Sequence, residues 1–204
     1  MSVAAFLRQY RAVGREKGDG YDHAMFADMS ERQRARARAM LLRRGTGGDT
    51  IDLSGLRFVG DETVVATLRA GAGRGALQTA DRDLVVRETL FALTGKISEL
   101  DPVLAWLDSG NAEARQRAAE LLGRLALPPA MAAPIARRLG QWRLGRAALP
   151  LAVAWLTTQG ISTCRADEFR THLPLLRRIV NAWPWRRAAV LAGIAADIQS
   201  RGHQ

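Results

Sequence analysis

Three observations predict an all-α fold. Apolar residues recur three or four positions apart along most of the 204-residue chain, which is the period of a helix with one covered face. Helix start and stop signals punctuate these stripes at short intervals. One wording also returns. Arg117-Ala118-Ala119-Glu120-Leu121-Leu122-Gly123 reappears as Arg187-Ala188-Ala189-Val190-Leu191-Ala192-Gly193, and more loosely as Arg146-Ala147-Ala148-Leu149-Pro150-Leu151-Ala152. A looser earlier copy runs from Val86 to Gly95, so the spacings are 28 (95 to 123), 29 (117 to 146) and 41 (146 to 187). A recurring apolar helix at such a period marks an array of helix pairs.

In order, residues 1–17 carry a helical stripe of Ala5, Phe6, Tyr10 and Val13, broken at Gly18-Asp19-Gly20. A short turn holds Phe26 and Met29. Ser30 with Gln33 forms a capping box and opens a helix to about Arg44. There Arg34, Arg36 and Arg38 alternate with alanine; helix propensity and the cap override the strand-like alternation. Residues 51–58 make one or two helical turns. Asp61-Glu62 begin the next helix at its positive end, and residues 71–75, rich in glycine, end it. No strand precedes that glycine run and no Gly-Lys-Ser/Thr follows, so it reads as a linker rather than a phosphate loop. Asp81 or Asp83 starts a helix to Leu93, closed by Gly95.

Asp101-Pro102 starts a helix holding Val103, Leu104, Trp106 and Leu107. Asn111 caps the central helix to Arg124, whose stripe is Ala114, Ala118, Leu121, Leu122 and Leu125. Pro128-Pro129 opens the next helix, with Met131, Ile135 and Leu139 on one side and Arg137-Arg138 near its end. Gly140 and Gly145 bracket Trp142-Arg143. A helix from Ala147 through Trp155 ends at Gly160. Ser162 or Thr163 caps a segment to Val180, and Trp183-Pro184-Trp185 turns into a last helix, Arg186 to Gln199. About ten helices are expected in one domain, 1–204, with N-terminal helices over 1–75 and repeats over 76–204.

Charge is placed unevenly. The net charge is +10; residues 1–120 hold 18 Lys+Arg and 17 Asp+Glu, whereas 121–204 hold 12 Arg and only Asp167, Glu168 and Asp197. GC-rich coding bias accounts for arginine over lysine but not for the loss of acids. A basic half attracts an acidic protein surface or nucleic acid. No apolar run is long enough for a membrane span, and the first residues lack a secretory signal. Cys164 is the single cysteine, so no intrachain disulfide forms and a cytoplasmic location is expected.

Chemistry is sparsely signalled. His23, His172 and His203 lie far apart and none pairs with Cys164 at ligand spacing, so neither metal nor other cofactor is expected. Cys164 beside Arg165 reads as inert, and no nucleophile triad or carboxylate pair stands out, so the chain reads as a non-enzyme. Trp106 and Trp155 read as core. Trp142-Arg143 and Trp185-Arg186 pair an aromatic with a cation, which suits a contact surface or an indole-plugged hinge with arginine reaching outward. The candidate partner-binding residues are Trp142, Arg143, Trp185, Arg186, Arg137 and Arg138.

The wording from Asp81 to Leu139 resembles HEAT repeats: Asp81 or Asp83 before Val86-Arg87, and Asn111 before Ala114-Arg115, followed by small residues and leucines. The resemblance implies a short right-handed α-solenoid of antiparallel helix pairs. Phe26-x-x-Met29-Ser30-x-Arg32, Met40-Leu41-Leu42-x-Arg44, Gly48-Asp49 and Gly60-Asp61 resemble small bacterial HEAT-like proteins encoded near toxins. That implies an immunity-type protein occluding a cognate toxin with its basic face. A second resemblance class, HEAT-like alkylpurine DNA glycosylases, implies nucleic-acid binding; Asp167 and Glu168 are the only acids near the basic face, and that family's catalytic arrangement is not matched.

Overall fold

The structure is a computed structural model that describes residues 2–73, 79–163 and 165–201. Among the described residues every regular element is a helix: thirteen α-helices and four short 3-10 turns, with no strand. None of these helices is long and apolar enough to cross a membrane. They gather in two compact units, residues 1–100 and 101–204. The expected boundary at 75/76 lies outside the described residues.

In the first unit, α1 (Ser2–Arg11) and α2 (Gly14–Gly18) replace the single stripe expected over 1–17. The chain extends at Val13 and takes φ +57 at Gly14, a left-handed turn that glycine allows. Val13 is thereby left 79% exposed and off the stripe. Next come α3 (Ala24–Ala27) and α4 (Glu31–Thr46). The capping box forms as expected: Gln33 N–H donates to Ser30 Oγ at 3.4 Å, and Ser30 N–H to Gln33 Oε1 at 2.8 Å. After α5 (Thr50–Gly55), a 3-10 turn and α6 (Glu62–Gly73), helix α7 (Ala80–Thr94) is capped by Thr79, not by Asp81 or Asp83. Thr79 is the extended residue whose Oγ1 accepts from Arg82 N–H. Asp83 is buried and pairs with Arg87.

The core of this unit is aromatic and leucine-rich. Phe6 lies 5.9 Å from Tyr21 and 5.5 Å from Phe26, and Leu41, Leu53, Leu56 and Leu90 are fully covered. Each such leucine contributes about 1.5–3 kcal/mol. Beneath the rings sits a charge cluster. Asp52 has no exposed surface. Its Oδ1 accepts from the Lys17 amine and, at 2.6 Å, from the Tyr21 hydroxyl. Its Oδ2 faces Arg44 Nε at 3.1 Å. Asp49 accepts from Arg44 at 3.1 Å and lies 3.7 Å from Lys17, so two cations meet two anions. Arg44 also donates to the Tyr10 carbonyl and lies 4.4 Å over the Tyr10 ring. Burial, reinforced by the Asp52 carboxylate, raises the Tyr21 phenol above its ordinary range. For Arg44, burial is the largest single influence and pulls its pKa down, but Asp52, Tyr10 and Asp49 together outweigh it and raise it, so the guanidinium stays charged. The cluster ties α1, α2, α4 and α5 together.

The second unit holds α8 (Asp101–Leu107), α9 (Ala112–Arg124), α10 (Ala132–Leu139), α11 (Ala148–Thr158), α12 (Ala166–Val180) and α13 (Pro184–Arg201). Asn111 caps α9 as expected, its Oδ1 accepting from Glu113 and Ala114. Ala114, Ala118, Leu121 and Leu122 are buried, and α9 packs along α11 and α8. Gly123 lets α9 and α11 approach closely there: a Cβ would stand 3.0 Å from the Pro150 carbonyl oxygen. Helix α12 begins at Arg165 rather than at Ser162 or Thr163. Glu168 reaches back, accepting from Ser162 Oγ at 2.6 Å and Arg165 N–H at 3.2 Å. Cys164 and His203 lie outside the described residues.

Helix α9 packs on α8 and α11, α10 packs on α11, and α8 touches α10 lightly, the contacts that two successive helix pairs would make. The last pair departs from that scheme. Helix α12 packs on α11 and α13 returns to α10, so α10 to α13 close a ring in which each touches the next. A closed ring of four helices is bundle geometry, whereas a regular array would set α12 beside α10.

Two stability changes follow. Replacing Asp52 with alanine leaves Lys17 and Arg44 with Asp49 as their one remaining carboxylate and the Tyr21 hydroxyl without its acceptor, so urea unfolding is expected to show a loss of about 3–5 kcal/mol; less than about 1 kcal/mol would contradict the cluster's role. Gly123→Ala must push α9 from the Pro150 backbone and is expected to cost about 1–3 kcal/mol in the same measurement.

Candidate functional site

The candidate site is built where two chain segments of the second unit meet. The first follows α10, whose last residue is Leu139, and carries Trp142 in the loop before the 3-10 turn at 145–147. The second links α12 to α13 and carries Trp183 and Trp185, with Pro184 as the first residue of α13. Proline suits that position because its missing N–H has no helical acceptor there. The Trp183 carbonyl accepts from Arg186 and Arg187 N–H at 2.8 and 3.1 Å, starting the helix.

Arg187 joins the two segments. It is 9% exposed and has no carboxylate partner among the described residues. Its guanidinium donates to the carbonyls of Leu139 (2.8 Å), Gln141 (3.5 Å), Val180 (3.1 Å) and Ala182 (3.1 Å). Leu139 and Val180 are the last residues of α10 and α12, so the cation sits against the negative ends of two helices. Burial lowers its pKa from the ordinary arginine value.

That clamp gathers three tryptophans. Trp142, Trp183 and Trp185 are 67%, 58% and 61% exposed. Trp183 and Trp185 stack at 4.9 Å and 18°, while Trp142 tilts against Trp185 at 5.2 Å and Trp183 at 6.4 Å. Together they expose on the order of 400 Å² of apolar surface, as large as the biggest patch on an ordinary monomer. Arg143, Arg186 and Arg137 are exposed and have no ion pair among the described residues.

Beyond Trp185 the same face of α13 carries Ala188, Ala192 and Ala195. These line an open apolar groove of about 440 Å³ with Ala132 and Ala136 of α10 and Trp155 of α11. The copies of this wording on α9 and α11 are covered, Ala118, Ala119, Ala147 and Ala148 being buried, whereas Ala188, Ala189 and Ala192 are exposed.

Of the expected contact residues, Trp142, Arg143, Trp185 and Arg186 meet in this patch or beside it. Arg137 borders the groove. Arg138 is a correction: it is 8% exposed and hydrogen-bonds Asp108 at 2.8 Å and the Pro134 carbonyl. Arg137 and Arg138 are neighbours in sequence but stand about 100° apart around α10, so only one faces outward. Trp183 is the residue that the dipeptide signal missed; it has no adjoining arginine, and only its place two residues before Trp185 pointed to it. Trp155 is core as expected, while Trp106 is half-buried.

No group of three or more His, Cys, Asp or Glu among the described residues is placed to hold a metal ion. Asp167 lies 3.4 Å from Arg165, and Glu168 is occupied at the start of α12. Comparison with family profiles, curated proteins and solved structures gives no match.

Arg187→Lys keeps one charge but cannot span four carbonyls. It is expected to cost about 1–3 kcal/mol and to shift tryptophan emission. Unchanged emission and stability would show that the triad does not depend on the clamp.

Proposed function

We propose that the chain is a non-enzymatic protein-binding module that grips an acidic protein surface through Trp142, Trp183 and Trp185 with Arg143 and Arg186 beside them. The observation that carries this reading is the exposed, mutually packed tryptophan triad. Tryptophan and arginine dominate binding hot spots, where a desolvated aromatic centre is ringed by polar groups. The second unit carries 14 arginines against 7 acids, which steers an acidic partner and makes association salt-sensitive. The alanine groove running on from Trp185 is apolar. An apolar floor suits protein side chains better than phosphates, and this favours protein over nucleic acid.

Within this reading the HEAT-like part would be α8 to α11, where α9 meets α11 and α8 meets α10. The immunity-type reading is its specific form: the partner is a cognate toxin, met in the cytoplasm and blocked by occlusion. An interface of about 1,600 Å² in total suffices for that.

The test captures partners from the native host's lysate with the unaltered chain and with W142A/W183A/W185A. The captured protein is then purified and titrated against both over a salt series. The triple variant is expected to lose it, and Trp185→Ala alone to weaken it by about 2 kcal/mol, roughly thirty-fold. Equal binding by the variants would overturn the reading. Steeply salt-dependent binding of duplex or single-stranded DNA, lost in the same variants, would replace it with the nucleic-acid reading. Rescue of cells producing the captured protein would assign the immunity role.

A further inference from the structure

The first unit contains a second concave site. Helix α1 leans on α2 and α3 rather than along α4, which leaves a valley between α1 and α4 of about 430 Å³. One wall is the face Val3, Phe6, Leu7 and Tyr10, spaced three and four apart on α1. The other is Met29, Ala37 and Met40, from α4 and the turn before it. Phe6, Met29 and Ala37 are nearly covered by the core, while Val3, Leu7, Tyr10 and Met40 are half-buried and face the opening. Protein interiors leave few voids larger than a water molecule. A void of this size falls instead in the range of about 300–1,000 Å³ found for small-molecule sites. Methionine walls suit an apolar ligand of adaptable shape.

The charged groups bordering the valley are both cations. Arg11 ends α1 and Arg36 lies on α4. The other lining groups are apolar or neutral, and no carboxylate lines it. Arg36 differs from its neighbours on the same helix. Arg34 donates to the carbonyls of Met29 and Ala27, Arg38 to Asp61 and the Val59 carbonyl, and Arg44 joins the Asp52 cluster. Arg36 and Arg11 have no such partner among the described residues and are exposed.

We propose that this valley binds a small amphiphilic carboxylate, its apolar tail between α1 and α4 and its single negative head at Arg36 and Arg11. The cations at the rim choose the head, and the seven apolar side chains of the walls choose the tail. The site is separate from the tryptophan face and stands or falls without it.

The test titrates the full chain with decanoate, following amide shifts by NMR and heat by calorimetry. Decanol and decylamine serve as neutral and cationic counterparts. Saturable 1:1 binding of decanoate is expected, with shifts confined to residues 3–11 and 29–40. R11Q/R36Q, two exposed changes that spare the core, should weaken decanoate roughly three-fold per arginine and leave decanol unaffected. Val3→Trp fills the mouth and should weaken both by at least about ten-fold, with retained helicity checked by circular dichroism. Non-saturable uptake would overturn the proposal. So would equal affinity for all three head groups, shifts elsewhere in the chain, or a folded Val3→Trp protein that binds as before.

Discussion

A buried guanidinium with no carboxylate partner among the described residues holds the candidate binding face together. Such a charge is costly to desolvate. Arg187 avoids most of that cost because it is aimed at backbone carbonyls that would themselves lack donors. The last carbonyls of α10 and α12 have no partner within their own helices, and Arg187 supplies one to each while also tying the loop residues Gln141 and Ala182. A planar group with five donors in a fixed fork can do this; an ammonium cannot. The three tryptophans inherit their positions from it, and their exposure is the surplus apolar surface that the fold leaves uncovered.

The first unit solves a similar problem by opposite means. Asp52, Asp49, Lys17 and Arg44 neutralise one another in the interior. The gain in such a cluster is specificity more than stability, since apolar residues of similar volume often do as well. Here the four charges join α2 to α4 and α5, and α4 and α5 also pack closely against each other. Gly55 shows how tightly they close: a Cβ there would meet the Tyr21 ring at 2.7 Å. One unit thus fixes its geometry with paired charges and the other with a cation on helix ends.

The all-helical character, the capping box at Ser30, the cap at Asn111 and the stripes of α9 and α10 were legible because each rests on contacts within about one helical turn. The tryptophan-arginine dipeptides likewise marked two of the three triad members. What stayed hidden depended on distant partners. Lys17 and Asp52 are 35 residues apart, and nothing local marks either as buried. The recurring Arg-Ala-Ala wording is the sharpest lesson. Its arginine pairs with Glu113 on α9 as Arg117, stands exposed as Arg146, and becomes the buried clamp as Arg187. Similar words made similar helices, but the neighbours decided the roles. Arg137 and Arg138 show the same limit within one turn: composition counted two cations where the helix presents one.

The closure of α10 to α13 into a ring changes what the second unit can do with copies of itself. An open stack of like pairs ends in a surface that matches its own beginning, and so can keep growing from molecule to molecule. Here α13 turns back onto α10, and the final pair no longer presents the edge that a following pair would need. Among the described helices the run of pairs thus closes on itself at α13 instead of repeating the contact of α8 and α9 with α10 and α11.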